Sequence, residues 1–162
     1  MKHTKSKNLK LGIPYMGSKR KLSKEIVDTI LYNHPKTKYV YDLFGGGGAI
    51  SLDFLQRKQI EQVTYNDLNE GVVNLFRKIQ KDGVTDEFYE WVSRETFKEY
   101  KDKSCWKAGL IKTCWSFGNN KDTITQIVFL ETREETEQFL LLIFFLYDVT
   151  NWFKICSEHC CF

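Results

Sequence analysis

The chain has 162 residues, 42% of them hydrophobic, with 24 Lys/Arg against 21 Asp/Glu and a formal charge of +3, which is the size of one ordinary domain or of part of a larger protein. Its longest strongly apolar run, residues 139–147, is nine residues long, whereas a helix needs about 20 to cross a bilayer, so no membrane span is read. The Lys-rich start is followed by neither an apolar segment nor a small-residue cleavage site, so no signal peptide is expected and the expected location is cytoplasmic.

Charge is uneven along the chain. Residues 1–38 hold ten Lys/Arg against Glu25 and Asp28, a net of +8 that leaves the rest at −5. A basic arm of this kind suits a polyanion such as nucleic acid, because neutralising phosphates releases counterions; a solvated tail is the plainer reading. After the arm, the turn-rich Ile13-Pro14-Tyr15-Met16-Gly17-Ser18-Lys19-Arg20 leads to Leu22, Ile26, Ile30 and Leu31 at helical spacing. This spacing predicts a helix over 21–32 that ends near His34-Pro35, since the residue before proline disfavours helix.

Tyr39-Val40-Tyr41-Asp42-Leu43-Phe44 reads as a strand stopping at four glycines, 45–48, where the backbone is free to take positive φ and a ligand can approach main-chain N–H groups. Residues 49–55 continue as a helix, and Gln62-Val63-Thr64-Tyr65-Asn66 as a second strand ending at Asp67. Strand, glycine turn, helix, strand and acid open a doubly wound nucleotide-binding fold. A third helix begins near Asn69 and closes at Lys81-Asp82-Gly83. Residues 86–106 look helical in two pieces, with Phe88, Trp91, Val92, Phe97 and Tyr100 on the core side.

Asp67 stands 25 residues after Asp42, a position from which a carboxylate accepts hydrogen bonds from both hydroxyls of an adenosine ribose. That spacing fits NAD, FAD or S-adenosyl-L-methionine. Asp42, just before the loop, would repel a pyrophosphate, which argues against a nicotinamide-dependent oxidoreductase and for a ligand with a positive end. S-adenosylmethionine has an ammonium and a sulfonium; its carboxylate needs a separate donor, which Lys19 and the turn Met16-Gly17-Ser18 can supply. Plainer readings are a loop that only turns the chain, a strand-end turn at Asp67, a core Phe44, a core-edge Tyr15 and a solvated Lys19.

The segments Pro14-Tyr15-Met16-Gly17-Ser18-Lys19-Arg20, Val40-Tyr41-Asp42-Leu43-Phe44-Gly45-Gly46-Gly47-Gly48 and Tyr65-Asn66-Asp67-Leu68-Asn69 resemble, in order, the first three motifs of Dam-type adenine-specific DNA methyltransferases. Cys114-Trp115-Ser116-Phe117-Gly118-Asn119-Asn120 resembles the stretch before the target-recognition region of phage-borne members. The resemblance implies an α/β, Rossmann-like fold that uses S-adenosyl-L-methionine and acts on double-stranded DNA. It places Tyr15, Gly17 and Lys19 beside the methionine end of the cofactor, Asp42, Phe44, Gly45, Gly46 and Gly47 at its floor, and Asp67 on the ribose.

The family's Asp-Pro-Pro-Tyr motif, which receives the exocyclic amine of a flipped-out adenine, has no counterpart, because the only prolines are Pro14 and Pro35. The expected organisation is a basic arm at 1–12, a cofactor-binding part at 13–120, and a divergent or frameshifted tail at 121–162 in a prophage-like gene, which would leave the fold incomplete at the C-terminus. A genuine alternative C-terminal subdomain is the other reading of the tail. A truncated methyltransferase, inactive alone, is therefore expected, with a non-catalytic module binding S-adenosylmethionine or DNA as the alternative. The five cysteines, three of them in the last seven residues, form no Cys-x-x-Cys pair; reduced thiols are expected rather than zinc at Cys156, His159, Cys160 and Cys161.

Overall fold

A computed structural model of the chain describes residues 11–116 and 153–155. The elements run α1 (Ser23–Asn33), β1 (Tyr39–Asp42), α2 (Ala49–Leu55), β2 (Gln62–Tyr65), α3 (Glu70–Asp82), a 3-10 turn (Asp86–Tyr89), α4 (Arg94–Tyr100), α5 (Trp106–Cys114) and β3 (Phe153–Ile155). The three strands form a parallel sheet in the order β1-β2-β3. In register, Val40 lies beside Val63 and Asp42 beside Tyr65, while Val63 pairs with Phe153 and Tyr65 with Ile155.

Parallel neighbours need a crossover rather than a hairpin, and α2 supplies it between β1 and β2. Alternation along β2 sends Val63 and Tyr65 into the core, both fully buried, where the Tyr65 ring meets Phe76 of α3 edge-on at 4.9 Å. Leu52, Val72, Leu75, Phe76 and Ile79 complete this core, and Ile13 of the N-terminal segment joins it. A smaller cluster of Val92, Phe97, Ile111 and Trp115 sits between α4 and α5. Helix α3 carries Gly71, Val72, Val73, Leu75, Phe76 and Ile79 on one buried face. Against it lies α5, so close that a Cβ on Gly109 would stand 2.0 Å from the Gly71 carbonyl oxygen.

The structure corrects several expectations. Helix α1 begins at Ser23 rather than 21, because residues 19–22 close a turn through the Leu22 N–H to the Lys19 carbonyl. It buries Ser23 and Val27, whereas Leu22 and Ile30 are exposed. Its orientation follows from polar ties to α2: Ser23 Oγ donates to the buried Asp53 at 3.0 Å, and Arg57 bridges Asp53 at 2.6 Å and Asp28 at 2.9 Å. Trp91, expected in the core, is exposed and touches Trp115 edge-on at 5.2 Å. The reason is local: Glu90 is extended (φ −61°, ψ 135°), so helical spacing does not run from the 3-10 turn into α4, and Val92 points inward instead.

Helix α5 was not anticipated. Residues 153–155 supply β3, a strand at a position where none was expected. The apolar run 139–147, most of the 121–162 tail, the basic arm up to residue 10 and the possible zinc group at Cys156, His159, Cys160 and Cys161 lie outside the described residues.

Candidate ligand site at the ends of the strands

The loops leaving β1 and β2 on the same side make one cavity of about 210 Å³, at the carboxyl ends of parallel strands, where open α/β sheets bind ligands. All nine residues singled out from the sequence line it: Tyr15, Gly17, Lys19, Asp42, Phe44, Gly45, Gly46, Gly47 and Asp67. Met16, Ser18, Ala49 and Ile50 complete the wall. This volume lies below the roughly 300–1,000 Å³ of ordinary ligand pockets. Phe44 is 89% exposed there, so it is no core residue.

The loop is built from the backbone outward. Pairing of β1 and β2 continues past the strands, as Asn66 N–H donates to the Asp42 carbonyl and Gly45 N–H to the Asn66 carbonyl, both at 2.9 Å. Gly46 and Gly48 then take positive φ, 49° and 75°, and reverse the chain into α2, as only glycine does freely. Gly45 is required for a different reason, since a Cβ there would lie 2.2 Å from the Tyr65 ring. From the other side the N-terminal segment closes on the loop through Ile13 N–H to the Gly47 carbonyl at 2.8 Å.

Asp67 clips the loop to β2. Its Oδ2 accepts the Gly46 N–H at 2.7 Å and its Oδ1 the Asn69 N–H at 2.8 Å. Tyr65 donates its hydroxyl to the Gly46 carbonyl at 2.6 Å; burial, with Asp67 nearby, pushes this phenol far above its ordinary range, which keeps it a donor. Tyr15 is also raised, chiefly by burial, an effect that the Asn69 side chain opposes and the Asp67 carboxylate adds to. Asp42 accepts a 2.6 Å hydrogen bond from Ser51 Oγ of α2. Lys19 is exposed and folds its ammonium onto the Gly17 carbonyl at 3.0 Å, across the turn closed by Ser18 N–H to the Tyr15 carbonyl. The Ser18 hydroxyl is buried with no hydrogen-bond partner among the described residues.

Sequence reasoning missed Ser51, Tyr65 and Asn69. Tyr65 and Asn69 stood inside a recognised motif with no sign of their contacts, and nothing in the sequence tied Ser51 to Asp42. Among the described residues no group of His, Cys, Asp or Glu is placed to hold a metal, and no helix is long and apolar enough to cross a membrane.

Chemically, the cavity offers a carboxylate, Asp42, beside the glycine loop, a second carboxylate, Asp67, whose oxygens keep lone pairs beyond their backbone bonds, a cation at Lys19, a buried hydroxyl at Ser18 and an open aromatic face at Phe44. That donor set fits a zwitterionic amino acid joined to a nucleoside. No curated protein matches the chain. The family model of the D12 class N6 adenine-specific DNA methyltransferase matches residues 15–139, most of the chain and past the expected break at 120. A glycine-loop cavity with an acid on each side and a match of that extent together lead to one assignment: the chain belongs to the D12 class N6 adenine-specific DNA methyltransferase family.

Proposed function

We propose that the cavity binds S-adenosyl-L-methionine and that the chain is the cofactor-binding part of an enzyme methylating the exocyclic amine of adenine in double-stranded DNA, acting in the cytoplasm. The observation that carries the reading is the convergence of Asp42, Asp67, Lys19 and the glycine loop on one cavity in a chain of this family. When bound, the cofactor supplies a methyl group on a sulfonium centre. In this reading Asp42 holds the ammonium, Lys19 with the turn at Gly17 and Ser18 holds the carboxylate, Asp67 accepts the ribose hydroxyls, and Tyr15 and Phe44 wall the site. The adenine amine is a poor nucleophile, its lone pair being shared with the ring, so transfer depends on placing it in line and accepting its protons.

Within these 162 residues no acid precedes paired prolines, so none of them is assigned to receive the amine. We therefore read these residues as the cofactor-binding part of the enzyme, competent to bind the cofactor and inactive by themselves. We read the chain's fold as a Rossmann-like methyltransferase domain, with three parallel strands among the described residues. The division into a basic arm (1–12), a cofactor part (13–120) and a divergent or frameshifted tail (121–162) belongs to the same proposal. Reading the gene in all three frames past codon 120 tests it, since Asp-Pro-Pro-Tyr in another frame would support the frameshift.

The missing prolines also favour a second reading, a non-catalytic module that binds S-adenosylmethionine or DNA. Titration with S-adenosylhomocysteine, followed by methyl transfer to adenine-containing duplexes, separates the two. Binding without transfer supports the cofactor site and the inactivity of these residues by themselves. Turnover by the lone chain would refute the argument from absent prolines, and failure to bind would refute the cofactor site.

A further inference from the structure

Ser51 is fully buried in α2 and donates its hydroxyl to Asp42 Oδ2 at 2.6 Å, a length typical of a charge-assisted O–H···O⁻ bond. Serine is a modest helix former, and inside a helix its hydroxyl ordinarily turns back to the carbonyl three or four residues earlier. Here the carbonyl four residues back belongs to Gly47, which already accepts the Ile13 N–H at 2.8 Å. The hydroxyl instead crosses to the end of β1. One Asp42 oxygen is thereby held, the carboxylate is fixed about its terminal torsion, and Oδ1 has no protein partner among the described residues. The side chain also lines the cavity, so the remaining oxygen is the one available to a ligand.

We propose that Ser51 is a positioning residue: acting through Asp42, it orients the carboxylate toward a cationic amino group and so makes the cavity selective for ligands carrying an α-amino acid end. The proposal rests on the cofactor reading above and adds a residue and a selectivity to it. A ligand with the nucleoside and thioether but no amino acid has nothing for Asp42 to grip, and its affinity is independent of Ser51.

The test is titration calorimetry of the full chain with S-adenosylhomocysteine and with 5′-methylthioadenosine, which keeps the thioether nucleoside and lacks the amino acid. Ser51→Ala is expected to weaken S-adenosylhomocysteine about tenfold, as for loss of a hydrogen bond to a charged group, and to leave 5′-methylthioadenosine within about twofold. In an Asp42→Asn background the same substitution is expected to add almost nothing, because the two residues act as one unit. Ser51→Cys, close in volume and a weaker donor, reads the same ratio if the alanine variant does not fold. Equal weakening of both ligands would reduce Ser51 to a packing residue and overturn the proposal, as would no change in either. A wild-type chain that binds neither ligand would instead overturn the cofactor reading beneath it.

Discussion

Replacing Asp67 by alanine takes away an acceptor shared by two backbone donors, Gly46 N–H at 2.7 Å and Asn69 N–H at 2.8 Å. Bonds to a charged group are each worth about 1.5–3 kcal/mol in mutational series. Gly46 lines the cavity and Asn69 is half-buried, so water can reach both donors, the low end applies, and the pair together contributes about 3 kcal/mol. For a chain of 162 residues that corresponds to a fall of about 9 °C in the ligand-free melting temperature. Asp67→Asn keeps one oxygen and turns an NH2 toward the other donor, so its loss should fall between wild type and alanine. Calorimetric melting of the three proteins without ligand, beside their affinity for S-adenosylhomocysteine, separates the two roles of this side chain. An alanine variant that melts within about 1 °C of wild type would refute the reasoning, since Asp67 would then act on ligand alone and the loop would hold its shape without it.

Gly109→Ala drives a methyl group to 2.0 Å from the Gly71 carbonyl oxygen, backbone that cannot move aside without parting α3 from α5. The expected cost is about 1–3 kcal/mol, read as a lower urea midpoint at unchanged slope; a change under about 0.5 kcal/mol would mean that the helices do not pack this closely. The Cys114 thiol is pushed up to about 11 by burial, so the folded state holds its proton longer than the unfolded state. Its stabilising contribution is therefore complete below the unfolded thiol's value of about 8.5 and is lost as pH rises toward the folded one. Denaturation midpoints between pH 8 and 10.5 should fall more steeply for wild type than for Cys114→Ala, and iodoacetamide at pH 8 should mark the exposed Cys105 well before Cys114. Equal labelling in peptide maps would contradict that burial.

The site was largely legible because its signals are local. A β-branched and aromatic run stopping at four glycines, and an acid after the next strand, report backbone requirements that hold whatever packs around them, and residues 39–67 fold accordingly. Helix α3 was equally plain, since its apolar spacing and closing glycine both lie within one segment. What escaped depends on partners distant in sequence. Leu22 and Ile30 have the spacing of a buried face, yet Asp53 and Arg57 turn α1 so that Ser23 and Val27 go inside. Trp91 is as apolar as its neighbours, and one extended residue before it sends it outward. Strand β3 joins β2 from far along the chain, in a segment whose composition pointed elsewhere.

The amino-acid sequence by itself determined the glycine turn, the order of strand, helix and strand, and the two carboxylates that flank the loop, because backbone conformation and side-chain alternation are decided over a few residues. Only the tertiary structure decided that Asp67 Oδ2 braces the glycine loop, that Ser51 holds Asp42, and that Phe44 stands open at the rim. Those are contacts between segments whose separation in the chain carries no information about their distance in space.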